Sequence, residues 1–361
     1  MIEFFTIAMG LLAAISIFRP DIRNDAVFLL IIIPMVLVSG LRWEMGTDWV
    51  NYYNMFLFPD GDYVKSMEPG YRYYIKFVEI FTNDYSIFLL LTDTLSLGGI
   101  SYLIFRYSGK NFLSLFYSTG TLFWYAGSLR QMLSLLFLTI SLRFIFKRKP
   151  IQFLICLAFA VSLHKSSLFF IINYFIYNYS YLLLIIICVL LIAFINYAAV
   201  LFDYVISIFF DVVSIQIRTN DGVNGSTISD SNPWLGIPRK LVTFFSIFFF
   251  YKKIKNYNML RKKKIYDFYF KMLILSISFY VIGSFFISHV SSRLDIFTGL
   301  ICVSILIGLI DNNLINKVYR LYFLLLIIFF NLIFYSRLQF FDLFHPYTSI
   351  FYNYDYRRDL Y

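Results

Sequence analysis

Apolar runs close to a bilayer's thickness recur along the whole chain, and few structures other than membrane helices can accommodate them. Segments 4–18, 26–41, 85–105, 111–125, 151–163, 181–201, 241–251, 268–287 and 321–335 are almost free of charge, and short basic or turn-rich stretches separate them. Hydrocarbon offers no water to the backbone, so such a run must close its own hydrogen bonds as a helix. One crossing takes about 20 residues, so a chain of 361 residues holds about a dozen crossings if some are short and the loops tight. Composition agrees: 60% of residues are hydrophobic, 14% are charged and mean hydropathy is +0.72, a surface no soluble domain of this length tolerates. The expected fold class is an all-α polytopic membrane protein of about 12 transmembrane helices, with residues 1–361 forming one transmembrane domain.

What is missing narrows the chemistry. Cys156, Cys188 and Cys302 all sit inside apolar runs, and His164, His289 and His345 have no metal-ligand spacing. Neither a phosphate-binding P-loop, a dinucleotide glycine fingerprint nor a nucleophile elbow is present, so no metal and no nucleotide cofactor is expected. The net charge of +10 is explained by basic loops facing anionic lipid, which argues against nucleic acid as a partner. No internal repeat of the secondary-transporter kind is visible. The first apolar run opens at Glu3 and reaches Phe18 without a small-residue cleavage site, so the first helix is expected to be retained.

Orientation follows from the basic segments. If Lys252–Lys264 is cytoplasmic, alternation puts Arg19 and Arg23, Arg106 and Lys110, Lys147–Lys149, and Lys317 and Arg320 on the same side. Loops 42–84 and 203–240, Arg130, His164, Arg293 and both termini then share the extracytoplasmic side, and 252–264 is the basic cytoplasmic loop. Residues 71–81 mix aromatics with Arg72, Lys76 and Glu79, as an amphipathic helix lying in the interface does. The short runs on either side of His164 suggest a polar site dipping below the membrane surface.

Within loop 42–84 the residue pattern departs from an ordinary solvated loop. Arg42, Gly46-Thr47-Asp48, Tyr52 and then Glu68-Pro69-Gly70-Tyr71 gather cations, carboxylates and stacking rings, the groups a sugar and phosphate site requires. Plainer readings exist for single residues. Asp48 suits an Asx-turn or helix cap, His164 a helix end bonded to backbone, and Trp124, Tyr125 and Trp234 an interfacial aromatic belt rather than sugar platforms.

Taken in order, Arg42 with Gly46-Thr47-Asp48-Trp49, Glu68-Pro69-Gly70-Tyr71, Arg130-Gln131, His164-Lys165-Ser166 and Ser292-Arg293 resemble the motifs of the EpsG-type branch of bacterial polysaccharide polymerases, the Wzy O-antigen and capsule polymerases. The resemblance covers about residues 40 to 295, and Trp49 stands where such proteins often carry Tyr. It implies a fold similar to the C-type glycosyltransferases in the bacterial inner membrane, with its active face extracytoplasmic. It also implies transfer of a growing glycan from undecaprenyl diphosphate to the terminal sugar of a new lipid-linked repeat unit, without a metal. The implied partners are undecaprenyl-diphosphate-linked oligosaccharides, membrane lipid and a chain-length regulator protein.

Such a transfer needs cations on the departing diphosphate, and Arg42, Arg130, Arg239 and Arg293 are the candidates, with Gln131 and Tyr71 as further substrate contacts. It also uses a base for the attacking hydroxyl, either His164 or one of Asp48 and Glu68. A lipid-linked oligosaccharide flippase or an O-antigen ligase would share substrate and location, and the glycan ladders left by their loss differ.

Overall fold

Backbone polar groups withdrawn from water bond within their own segment, and every regular element among the described residues of the computed structural model is helical. The structure describes residues 2–46, 48–181, 183–184, 186, 236–252, 260–286, 296–314, 316–336 and 349–351. In chain order the helices are α1 (Ile2–Phe18), α2 (Asp25–Gly40), α3 (Trp49–Leu57), α4 (Asp62–Lys65), α5 (Pro69–Glu79), α6 (Tyr85–Tyr107), α7 (Phe112–Ala126), α8 (Leu129–Phe146), α9 (Pro150–Leu163) and α10 (Lys165–Ile176). They continue with α11 (Gly236–Lys252), α12 (Leu260–Phe286), α13 (Ile301–Asn313) and α14 (Lys317–Ser336). A π-helical turn, Thr94–Gly98, lies inside α6, and a second, Ile296–Leu300, leads into α13.

Local chemistry sets the ends. The Asn24 side chain accepts the Val27 N–H at 3.0 Å to start α2, Asp84 accepts Ser86 N–H at 2.7 Å to start α6, and Asn111 accepts Leu113 N–H at 2.8 Å to start α7. Pro69 and Pro150 occupy first-turn positions where a missing N–H costs nothing. Inside the apolar helices, the hydroxyls of Thr92, Ser96 and Thr139 each donate to the carbonyl four residues back at 2.7 Å, so they need no outside partner.

The larger core joins most of the long helices. α1 packs on α7 with Phe5 and Phe123 stacked at 5.7 Å, α2 on α6 with Phe28 and Phe105 at 4.8 Å, and α8 on α9 with Phe137 and Phe159 at 5.5 Å. A second, smaller core is aromatic. It gathers Trp49, Tyr52, Phe56, Tyr71, Tyr85 and Phe88 under α3 and α5, against Leu129 and Leu133 of α8.

Two of the described helices, α6 and α8, are long and apolar enough to cross a membrane, and six further apolar helices run 10–17 residues. The all-helical expectation holds, whereas a total of twelve spans and a C-type glycosyltransferase fold go beyond what these helices carry. Two segments differ from their reading as loops. Region 42–84 folds into α3, α4 and α5, whose 4 to 11 residues are too short to show as lipid-length runs. α12 begins at Leu260, inside the basic stretch, because Arg and Lys are good helix formers. The expected helix 71–81 is α5, with Ile75 and Val78 buried and Tyr73 and Phe77 exposed. Residues 203–235 of the long loop, most of helix 181–201, and Trp234, His289 and His345 lie outside the described residues.

Candidate functional site

Three motifs far apart in sequence meet at one carboxylate. Glu68 stands at the N-terminal boundary of α5, Arg130 in the first turn of α8, and His164 at the C-terminal boundary of α9. Arg130 Nη1 donates to Glu68 Oε2 at 2.6 Å and lies 2.9 Å from Met67 Sδ. The other oxygen, Oε1, accepts the Lys165 N–H at 3.3 Å and stands 3.7 Å from His164 Nδ1. The Glu68 side chain is 8% exposed, that of His164 12% and that of Arg130 22%, so the cation is the most open of the three.

Backbone geometry produces this meeting. α5 crosses the end of α9 so closely that a Cβ on Gly70 would lie 2.3 Å from Ser162 Oγ and 2.7 Å from the Ser162 carbonyl oxygen. Only glycine fits such an approach. The His164 N–H closes α9 on the Ala160 carbonyl at 2.9 Å, and the residue then turns extended, at φ −157 and ψ 115. That turn directs the Lys165 N–H at Glu68, and the Ser167 hydroxyl holds the turn by donating to the His164 carbonyl at 2.6 Å.

Electrostatics keeps the carboxylate ionised. Burial pushes the Glu68 pKa up, but Arg130, His164 and the N–H groups at Glu68 and Lys165 together outweigh it and hold the group below the usual carboxylate range. Tyr52 and Tyr71 line the same place, their rings 5.8 Å apart. Burial raises both phenols, well above the ordinary range for Tyr71, against the pull of Arg130, so both remain neutral donors. Spare capacity remains around Arg130. The Tyr71 hydroxyl and Arg130 Nε are buried and have no protein partner, and the same holds for Gln131 Nε2 on the next residue of α8.

The structure thus brings Glu68, Arg130, His164 and Tyr71 together, with Gln131 buried beside Arg130 on α8. Asp48 lies at the start of α3, its carbonyl accepting the Tyr52 N–H at 3.0 Å and its charge felt by the Tyr52 phenol. Arg42 goes elsewhere: its guanidinium pairs with Asp93, fully buried in α6, and donates to the Ala126 carbonyl at 2.8 Å. Ser39 completes that node by donating to Asp93 at 2.6 Å. The Arg239 side chain and the whole of Arg293 lie outside the described residues.

Tyr52, singled out in the loop pattern, stands at Arg130, whereas sequence reasoning missed Met67 beside Arg130, the Lys165 N–H, and Phe297, whose ring centre lies 5.9 Å from that of His164. It also missed Asp93, although a lone carboxylate in an apolar run is a signal in itself. No group of three or more His, Cys, Asp or Glu side chains placed to hold a metal ion occurs among the described residues.

Compared with known proteins, the chain matches the model of the EpsG family over residues 25–353. No curated protein and no solved structure matches it.

Proposed function

This chain belongs to the EpsG family, and from that premise we propose that it is a membrane polysaccharide polymerase in which Glu68, Arg130 and His164 form the reacting centre. The family supports a glycosyltransferase-like enzyme of polysaccharide biosynthesis and transmembrane character. In the finer reading, a growing glycan leaves undecaprenyl diphosphate for the terminal sugar of a second lipid-linked repeat unit, at the extracytoplasmic face of the bacterial inner membrane and without a metal.

One observation supports this assignment most: a single buried carboxylate touches the arginine and the histidine at once. Both Glu68 oxygens are engaged, one by Arg130 and one by the Lys165 N–H, with His164 Nδ1 3.7 Å from the second. Glu68 is therefore a positioning residue rather than the base. At 3.7 Å the Glu68 carboxylate is beyond hydrogen-bond reach of His164 Nδ1; drawn closer in the substrate complex, it would fix the tautomer that leaves Nε2 basic, as in other carboxylate–histidine pairs. His164 Nε2 takes the acceptor hydroxyl's proton while the oxygen bonds to the anomeric carbon. The anomeric C–O bond to phosphate breaks, and the diphosphate leaves with the electron pair. Arg130 retains donors beyond the one spent on Glu68, and with the spare Tyr71 and Gln131 donors it meets the departing charge.

His164→Ala tests the base. Expected is protein that folds and still binds undecaprenyl-diphosphate glycan but polymerises roughly a hundred- to ten-thousandfold more slowly. Wild-type activity should rise with pH as the imidazole deprotonates. A His164→Ala variant that builds normal chain lengths at equal expression would overturn the role.

A further inference from the structure

Buried tyrosine and tryptophan side chains ordinarily give their polar tips a partner. The aromatic core beside the reacting centre does not follow this rule. Trp49 is 4% exposed and Tyr85 5% exposed, yet neither the Trp49 Nε1–H nor the Tyr85 hydroxyl has a partner. Their rings meet edge to face at 5.3 Å. A Trp N–H can only donate, so its partner must supply an acceptor.

Two half-buried rings cover this pair. Tyr53 stacks on Trp49 at 5.1 Å and meets Tyr85 edge-on at 5.1 Å, while Trp43 stands edge-on to Trp49 at 4.8 Å. Trp43 is carried by a short turn in which Glu44 has φ 49 and Gly46 has φ 96. A glutamate in the left-handed region is uncommon and stores strain, and such strain collects in segments that move around ligands. Because Trp49 and Tyr85 are buried against them, Trp43 and Tyr53 must move aside before a ligand reaches the two donors.

We propose that Trp43, Trp49, Tyr53 and Tyr85 form a sugar subsite, distinct from the diphosphate-binding cluster around Arg130, in which a pyranose ring packs on the aromatic faces and its oxygens accept from Trp49 Nε1 and Tyr85. A sugar matches the chemistry on both counts: it presents acceptor oxygens at its edge and an apolar C–H face. The subsite rests on the reading of the chain as a glycan polymerase, and it adds the place where a repeat-unit sugar is held.

The test uses the full-length protein in lipid nanodiscs with two probes, undecaprenyl diphosphate carrying the host's repeat unit and undecaprenyl diphosphate without sugar. Trp49→Phe and Tyr85→Phe each keep a ring and lose a donor. Wild type should prefer the sugar-bearing lipid. Each variant should bind that lipid about three- to tenfold more weakly, the loss of one hydrogen bond, and bind the bare lipid unchanged. Unchanged affinity for both probes in both variants, equal weakening for both probes, or a wild type without preference overturns the subsite. Should Trp49→Phe not fold, Tyr85→Phe decides by the same outcomes. Failure of the polymerase reading looks different: a wild type that prefers the sugar-bearing lipid yet never joins two repeat units.

Discussion

Two buried carboxylates, Glu68 and Asp311, each meet arginine, and the contrast between them separates a place for chemistry from a place for stability. Asp311 of α13 is saturated. Its Oδ1 accepts Arg320 Nε at 2.9 Å, and its Oδ2 accepts Arg320 Nη2 at 2.9 Å, Arg23 Nη2 at 3.1 Å and Asn111 Nδ2 at 2.7 Å. Neighbouring Asn312 donates to the carbonyls of Ser108 and Gly109 at 2.8 and 3.0 Å. These bonds tie the segment after α1, the start of α7, α13 and α14 into one knot. Glu68 also has both oxygens engaged, but the groups around it keep unspent donors on Tyr71, Gln131 and Arg130. The Asp311 knot also leaves Arg23 Nε buried without a partner, so the contrast rests on the carboxylates: four accepted bonds at Asp311 lock helices together, whereas the donors left beside Glu68 leave room for a ligand.

The largest effect that tests this contrast comes from the arginines. Arg130→Lys keeps the charge and loses the planar fork, so the polymerisation rate per folded molecule should fall about a hundred- to a thousandfold while the yield of folded protein holds. Arg320→Lys loses a bidentate pair inside the Asp311 knot and should do the reverse. Breaking a buried pair outright costs about 3–5 kcal/mol, so Arg320→Ala should be recovered in much smaller amounts but polymerise normally per molecule. Size-exclusion recovery and rate, measured together, check this. Arg320 variants with a crippled rate per folded molecule, or Arg130→Lys with only a reduced yield, would erase the distinction.

The same pair of sites shows what the sequence made legible. Glu68, Arg130 and His164 could be drawn together because their motifs fell on one side of an alternating topology. The apolar runs 26–41 and 111–125 located α2 and α7, whose caps, Asn24 and Asn111, the structure supplies. The Asp311 knot could not be read, because Arg23 and Arg320 already served as topology charges and nothing local says that Arg23 reaches a residue 288 positions away. Arg42 failed in the opposite sense: it looked like an open cation, and only the fold reveals the buried Asp93 that engages it. Of the short helices in region 42–84, α5 was legible as the amphipathic segment 71–81, whereas α3 and α4 were not, because their order comes from packing on the aromatic core rather than from an apolar run.

Glycines give an intermediate effect of the same kind. Gly70 has Ser162 backbone where a Cβ would go, so Gly70→Ala must push α5 away from the His164 turn. A displacement of about 1 Å between reacting groups costs on the order of a hundredfold, so activity per folded molecule should drop by about that much, on top of an overpacking cost of about 1–3 kcal/mol. At Gly308 a Cβ would come within 2.6 Å of Ser108 Cβ and 3.0 Å of Asn111 and Ser114 Cβ, all beside the Asp311 knot. Gly308→Ala should therefore overpack at a cost of about 1–3 kcal/mol and leave the rate per folded molecule unchanged. Equal activity losses in the two variants would break the comparison.

The smallest effect concerns pH. Glu68 titrates below the usual carboxylate range because Arg130, His164 and backbone N–H groups outweigh its burial. A group whose pKa is lower folded than unfolded contributes stability that is fully present above the unfolded value, about 4.3 for Glu, and is lost as pH falls through the folded value. Wild type should therefore be more stable than Glu68→Gln at neutral pH, by a melting difference within about 4 °C. The gap should persist down to about pH 5 and close as pH falls from about 4.3 through the lower value of the folded carboxylate. Thermal unfolding in matched buffers from neutral pH downward reads this directly. A gap that fails to close below about pH 4.3 would mean that Glu68 is held protonated in the folded protein, and its pairing with Arg130 and His164 would then have to be redrawn.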